Sequence, residues 1–583
     1  MNSDFPRPIG PSPSNDSGRN ARKGRSASAR PARTDEPKDK FQKSKAPPAE
    51  PKARTVKVSY LPQDPGMIPP QTVEYPATEL QAGPSNSRFR ISESPSFPPA
   101  RPDANGHLVF DVEDPRFDAT QAFVIADRSL KMAERYLGRE VPWGFSEALG
   151  RDQLLIHPHV GADVANAFYS SQSGSLNFYH FTDPVTNEVV RTGQSADVVA
   201  HEMGHAILDA VRNEYISSMS IHGGGFHEAS GDIIAMLTAL QDDAVIEAVH
   251  AETQGDMTRP SMITRTAEGL GESIGNMSGV KKDALRDALN NFRYADQHFL
   301  PYAPPSRRGD DVLAQESHSY SNLFVGAFYD ILTETHTAIS GSERDFAKTL
   351  KTARDITGSL FFRAVELGPV GEPSYREMAQ SFLTADEVDF GGKFRPILEA
   401  VFVQRGILRP EDVAEFDQQR AGLPELRLTA PIEGKKAAES FLKANRKKLE
   451  LPDRPYQFLD KRTNESGETV LLYKFDQTFP IDGAEFGSLE GSKGQITGGL
   501  TLAFDNEGAL VSKCLDDITE REIEDILFHL KRAVGDGMLV AQGTGMGNLK
   551  TGDNTQALLQ SLHLAKVSTP NGYVLRRAPE IWG

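Results

Sequence analysis

Apolar residues recur at helical spacing through the middle of this chain, with strand-like runs on either side. Over residues 118–137 they fall three and four apart, which predicts a helix with one buried face. The short runs 108–112, 154–156, 166–169 and 176–180 predict strands of a sheet. Val198, Val199, Ala206, Ile207 and Val211 then mark the apolar side of another helix. Gly204 lies within it, a poor helix former whose small size lets a neighbouring helix pass close. Beyond Asp232 the pattern is mainly helical, over 322–335, 343–357, 374–385 and 392–405. Past residue 408 come a helix at 435–446, strands at 470–475, 498–504 and 510–513 with a turn at 506–508, and a highly charged helix at 520–534.

The pattern divides the chain. Residues 1–54 are rich in Pro, Ser, Arg and Lys and hold too few apolar side chains to offset the entropy of ordering, so a disordered arm is expected. A Pro-rich extended segment, 55–106, follows, with a strand at 55–60. The globular part begins near His107 and runs to 408; 409–433 reads as a linker and 434–583 as a small α+β domain. The fold class expected is therefore α+β.

Of 583 residues, 38% are hydrophobic and 25% charged, and the net charge is -17. That charge argues against general nucleic-acid binding. It is uneven, since the first 57 residues carry about +8. No stretch approaches the ~18 apolar residues of a membrane span, and the start carries no apolar core of a Sec signal. The expectation is a cytoplasmic protein or one exported by a non-Sec route. Cys514 is the sole cysteine, which rules out an intrachain disulfide and suits a small buried side chain.

The chemistry concentrates in His201-Glu202-Met203-Gly204-His205. On a helix, residues i and i+4 share a face, so both imidazoles can reach one metal ion while Glu202 points at a water on it. Zinc accepts neutral nitrogen and carboxylate ligands in a tetrahedral shell, and a catalytic site takes three protein ligands. A third ligand is found in the run beginning Gly223-Gly224-Gly225, read as a turn returning a second helix against the first. Glu228 and Asp232 share a face of that helix. Glu228 can bind the metal, and Asp232 can accept a hydrogen bond from the far nitrogen of a ligand histidine.

These residues resemble the thermolysin-like (gluzincin) zinc metallopeptidases, in which the third ligand is a Glu within Glu-Ala-x-x-Asp. Asn166-Ala167-Phe168-Tyr169 is similar to that family's substrate-binding edge strand. Asp209 stands eight residues after His201, as in the family, and His318-Ser319-Tyr320 is similar to the segment opening with its transition-state histidine. The resemblance covers about residues 111–408. It implies a two-lobe catalytic domain, sheet-rich then helical, acting as a zinc metalloendopeptidase on peptide or protein substrates. It makes His201, His205 and Glu228 the zinc ligands, Glu202 the general base, His318 the transition-state donor, and Asn166 and Ala167 substrate contacts. Tyr215 is implied as a second oxyanion donor, one residue out of register.

Several features depart from the family. The gap from His205 to Glu228 is longer. Leu313 occupies the place of the Asp that supports the histidine, with Glu316 as a substitute. The substrate-binding Arg has three candidates, Arg293, Arg307 and Arg308. Calcium has only Asp197, Asp242 and Asp243 to suggest it. Residues 473–486 and 499–505 resemble the propeptide of such precursors, which would make the C-terminal domain an intramolecular inhibitor, although here it follows the catalytic part. The competing reading is an inactive zinc-binding module of the same fold, used for recognition or as a delivered effector. Retention of Glu202 favours the enzyme, because metal binding alone does not require it.

Overall fold

The computed structural model describes residues 54–81, 83–278, 284–301, 312–341, 343–535, 540–541, 563–569 and 572–577. The expected disordered arm lies outside them, apart from Arg54. Residues Ala53–Gly583 form one compact unit of mixed α and β structure. The globular part therefore starts well before His107. Thr55–Tyr60 pairs with Gln71–Pro76, and its Val56, Val58 and Tyr60 are buried in the main core beside the Phe117–Leu137 helix. The expected strand at 108–112 is a loop that bridges to Val58 through Leu108.

Four strands form the sheet that precedes the metal motif. Their order is Phe89–Ile91, Leu154–His157, Ser175–Phe178 and Ala167–Ser170, parallel except for the last pair. Ala167–Ser170 is thus an edge strand. Phe89, Leu154, Ile156, Leu176 and Phe178 turn into the same core as the central helices.

The Ala196–Val211 helix starts where Ser195 accepts a hydrogen bond from the Val198 N–H (3.1 Å), satisfying a donor that has no partner within the helix. It packs against the Ile221–Ala239 helix. The glycine run does not form the turn between them. A 3-10 turn at Asn213–Ser217 makes the reversal, Ser220 caps the second helix by accepting from Gly223 N–H (2.9 Å), and Gly223–Gly225 lie inside it. Glycine is needed there for space: a Cβ on Gly225 would stand 2.5 Å from the Tyr375 hydroxyl. The helix crossing is close because Gly204 faces Gly231, where a Cβ on Gly204 would lie 2.7 Å from the Gly231 Cα.

Helices follow at Ser317–Ser340, Phe346–Leu367, Tyr375–Phe390 and Arg395–Gln404. The expected linker is itself partly helical: Pro410–Ala421 buries Asp412 and Phe416. Beyond it, Thr469–Ile481 and Ser492–Phe504 form the spine of a seven-stranded sheet, with the Gly434–Asn445 and Glu520–Gly535 helices in the same segment. Cys514 is half-buried in the Leu510–Asp516 strand.

This C-terminal segment is built into the molecule. Met219, two residues before the Glu228 helix, sits in an apolar cluster with Phe475, Phe479, Ile496 and Leu530. Arg212, at the end of the His201 helix, is buried. It donates to the carbonyls of Val365 (2.8 Å), Glu366 and Gly368 (3.2 Å), which end the Phe346–Leu367 helix, and lies 3.4 Å from the Thr501 hydroxyl. Carbonyls at a helix C-terminus carry partial negative charge, which offsets part of the cost of burying the guanidinium.

Candidate metal centre

The fold brings His201, His205 and Glu228 together. One donor atom from each lies within 4.8 Å of the others, and all three residues are buried. His201 Nε2 stands 3.5 Å from Glu228 Oε2, and His205 Nε2 3.9 Å from Glu228 Oε1. A tetrahedral shell with bonds of about 2.0–2.2 Å has edges of about 3.3–3.6 Å, so the donors are close to the spacing one ion requires. Both Glu228 oxygens are buried and lack a well-formed hydrogen bond, the His201 and His318 ring nitrogens standing 3.5 Å from Oε2. A buried carboxylate left in this state is costly unless a cation completes it. The residues present therefore fit a metal ion.

The surrounding contacts orient the donors. His201 Nδ1 lies 2.9 Å from Asp232 Oδ1, as the i, i+4 spacing of Glu228 and Asp232 leads one to expect. Arg286 completes this contact, donating to both Asp232 oxygens (2.5 and 2.8 Å). Sequence reasoning missed Arg286, because no local pattern marks it. Among the earlier candidates, Arg293 donates to the Gln404 carbonyl (2.7 Å), and Arg307 and Arg308 fall outside the described residues. His227 also went unnoticed, though it stands next to Glu228; its ring stacks on His205 at 4.7 Å.

Glu202 is buried in the same place, and its Oε2 has no partner. Burial pushes its carboxyl up to about 8, opposed by the neighbouring His201 and by a hydrogen bond from the Tyr169 N–H. That bond ties the base to the edge strand. The Tyr169 hydroxyl donates to Asp209 (2.6 Å), fastening the strand to the His201 helix a second time.

His318 sits in the first turn of the Ser317–Ser340 helix, with Nε2 3.5 Å from Glu228 Oε2. Its supporting carboxylate is Glu316, whose Oε1 lies 2.6 Å from Nδ1. Glu316 also caps the helix by accepting from the N–H groups of His318 and Ser319 (both 3.0 Å). Leu313 is simply buried. Burial opposes protonation of His318, and the Glu228 and Glu316 carboxylates overcome it, holding the imidazole up at about 9. Glu228 shows the converse: burial opposes its ionisation, but His318 and His201 bring the carboxyl well below its usual range.

Asn166 and Ala167 stand at the start of the edge strand. The Asn166 carbonyl accepts from Tyr179 N–H (3.2 Å) and the Thr192 hydroxyl (3.2 Å), and Ala167 pairs with Phe178. Among the described residues no further strand covers the outer edge.

Two expectations are corrected. Tyr215 is buried in the core, and its hydroxyl donates to the Pro369 carbonyl (2.8 Å), so its one proton is already committed. The three calcium candidates do not converge. Asp242 accepts from Tyr60 (2.6 Å) and Arg128 (2.9 Å) and caps the Asp243–Thr253 helix. Asp243 pairs with Lys351 (2.6 Å), and Asp197 accepts from Ala267 N–H (3.1 Å). Arg128 and Lys351 place positive charge where the ion would need none.

No protein-family model matches this chain, and no curated protein is significantly similar to it in sequence. Among the described residues, no helix is long and apolar enough to cross a membrane.

Proposed function

We propose that this chain is a zinc-dependent metalloendopeptidase whose catalytic part, from the Thr55–Tyr60 strand to residue 408, takes the two-lobe, thermolysin-like arrangement. The observation that supports it is the convergence of His201, His205 and Glu228 within 4.8 Å, in contact with His318 and next in chain to the buried Glu202, whose Oε2 has no hydrogen-bond partner. Three protein donors suit a site that keeps one position for water or substrate, whereas a structural zinc site closes all four.

Zinc, when bound, supplies Lewis acidity to a water and to the scissile carbonyl. Glu202 takes the proton from the attacking water and delivers it to the leaving amine; a base raised toward neutrality suits both transfers. His318, kept protonated by Glu316 and Glu228, donates to the developing oxyanion, an effect worth about 3–4 kcal/mol in comparable sites. The substrate lies extended along Ala167–Ser170 as an added strand, its direction fixed by backbone pairing near Asn166. Asp232 and Arg286 hold the His201 ring in orientation.

The test is peptide hydrolysis by the purified full-length protein, with zinc content measured in parallel. Glu202→Gln keeps the metal and loses at least about 10²-fold in turnover. A zinc-loaded wild type that cleaves no peptide would establish the recognition module instead. Unchanged turnover in Glu202→Gln would sink the mechanism.

A further inference from the structure

The Glu520–Gly535 helix is fastened to the C-terminal sheet, since Ile526 and Leu530 are buried in one apolar cluster with Phe475, Phe479 and Ile496. Met219, ahead of the Glu228 helix, belongs to the same cluster. From this fixed position Arg532 reaches the segment that enters the His318 helix. Its Nη1 donates to the Leu300 carbonyl (3.0 Å) and to Gln315 Oε1 (3.2 Å). The Gln315 N–H donates to the Pro301 carbonyl (3.0 Å), so Arg532 ties two chain segments together where their backbones already meet.

Gln315 is the informative member. Leu313, Ala314 and Gln315 are buried in succession, so the entry to the helix is held inside the molecule. A side-chain amide has an accepting oxygen and a donating nitrogen, and a guanidinium can only donate. Arg532 therefore fixes the Oε1 end toward itself, while Nε2 is buried without a partner. The bond from Arg532 is what holds this side chain in place. Glu316 follows directly. Its Oε1 lies 2.6 Å from His318 Nδ1, and its two oxygens accept from the N–H groups of His318 and Ser319 (both 3.0 Å). The other ring nitrogen, His318 Nε2, stands 3.5 Å from Glu228 Oε2 at the metal centre. A shift of residue 315 thus passes to Glu316 and then to the direction of the imidazole.

We propose that Arg532, acting through Gln315 and Glu316, is a positioning residue that aims His318 at the metal centre. The proposal rests on the peptidase reading, in which His318 donates to the oxyanion. It gives the C-terminal segment a part in turnover, where a propeptide would be expected to inhibit. Without the guanidinium, both ends of the buried Gln315 amide lack a partner. Burial penalises that state, so the side chain and the backbone beside it move toward water. A misplacement of about 1 Å at a reacting group can cost about 10²-fold in rate. His318 meets the oxyanion only in the transition state, so the loss falls equally on kcat and kcat/KM and leaves KM in place.

The test uses the full-length protein. Arg532→Met removes the donors and keeps a stem of similar length beside the Phe528 ring. Zinc-loaded Arg532→Met should lose about tenfold in kcat with KM within about twofold, at wild-type zinc content. Arg532→Lys, whose one nitrogen can donate to both acceptors as Nη1 does, should keep kcat within about threefold. In a His318→Ala background the Arg532→Met change should alter kcat by less than about twofold, because the group it aims is gone. A second readout needs no turnover: in the metal-free protein, Arg532→Met should speed amide exchange at 313–319 by about two- to fivefold and leave the Ala196–Val211 helix unchanged. A loss of about tenfold that persists in the His318→Ala background would make Arg532 a merely structural residue and overturn the proposal, as would unchanged exchange at 313–319. A zinc-loaded wild type that cleaves no peptide would instead defeat the peptidase reading, and this proposal with it, so the two failures are told apart by the wild type alone.

Discussion

Replacing Gly231 by Ala sets helix propensity against packing at the metal centre. In an ordinary helix the change gains about 0.8–1 kcal/mol, because Ala loses less backbone entropy than Gly. Here a Cβ on Gly231 would stand 2.5 Å from His201 Cε1 and Nδ1 and 2.9 Å from Cγ. Relaxed carbon contacts sit at about 3.5–4.0 Å, so either the ring or a helix must retreat by about 1 Å. The helices have no slack, since Gly204 already brings the two backbones together at this crossing. Overpacking of this kind costs about 1–3 kcal/mol and cancels the propensity gain. The ring atom that must move, Nδ1, is also the one held by Asp232 at 2.9 Å. Metal bonds tolerate only about 0.2 Å, and losing such a supporting contact weakens metal binding by about 10–100-fold. The assay is zinc affinity by competition with a chromophoric chelator, alongside thermal melting of the metal-free protein. Wild-type zinc affinity together with a raised melting temperature would refute the packing argument and leave propensity in control.

Tyr215→Phe removes a core hydrogen bond to Pro369 and should cost about 1 kcal/mol of stability while leaving turnover within about twofold; a loss near 10²-fold would restore Tyr215 as an oxyanion donor. Glu316→Gln takes away one carboxylate that keeps His318 protonated, so the alkaline limb of the pH–rate profile should move to lower pH, and an unmoved limb would dismiss Glu316 as its support. His201 is held up at about 9, because Asp232 and Glu228 overcome both burial and Arg286. Its pairing stabilises the metal-free fold fully below the ordinary imidazole value of 6.5 and ceases to do so as pH rises through about 9. Zinc must displace that proton, so zinc titrations at neutral pH should release about one proton, measured by calorimetry in buffers of different ionisation enthalpy; a heat independent of buffer would contradict this.

The parts of the site that can be read from the chain are those set by local geometry. His201 and His205 share a face because they are four residues apart, and so do Glu228 and Asp232. Helix periodicity likewise reveals the Phe117–Leu137 helix and the helices from Ser317 onward, and the small size of Gly204 signals a close crossing. The glycine run shows where local reading goes astray. Three consecutive glycines suggest a turn, yet Ser220 supplies the cap and the crowding around Tyr375 requires glycine inside the helix. Glu316 belongs with the local features, since it supports His318 from two residues away, whereas Arg286 and Tyr215 depend wholly on which distant segments meet. Arg286 approaches Asp232 across 54 positions of chain, and Tyr215 is committed to a carbonyl 154 residues away. The C-terminal segment reads as a detachable domain by its pattern, but burial of Arg212 and Met219 makes it part of the same unit. Spacing along one helix determines which side chains share a face. Only tertiary packing decides which charge, carbonyl or ring stands opposite them, because that partner comes from a part of the chain whose local pattern carries no record of the contact.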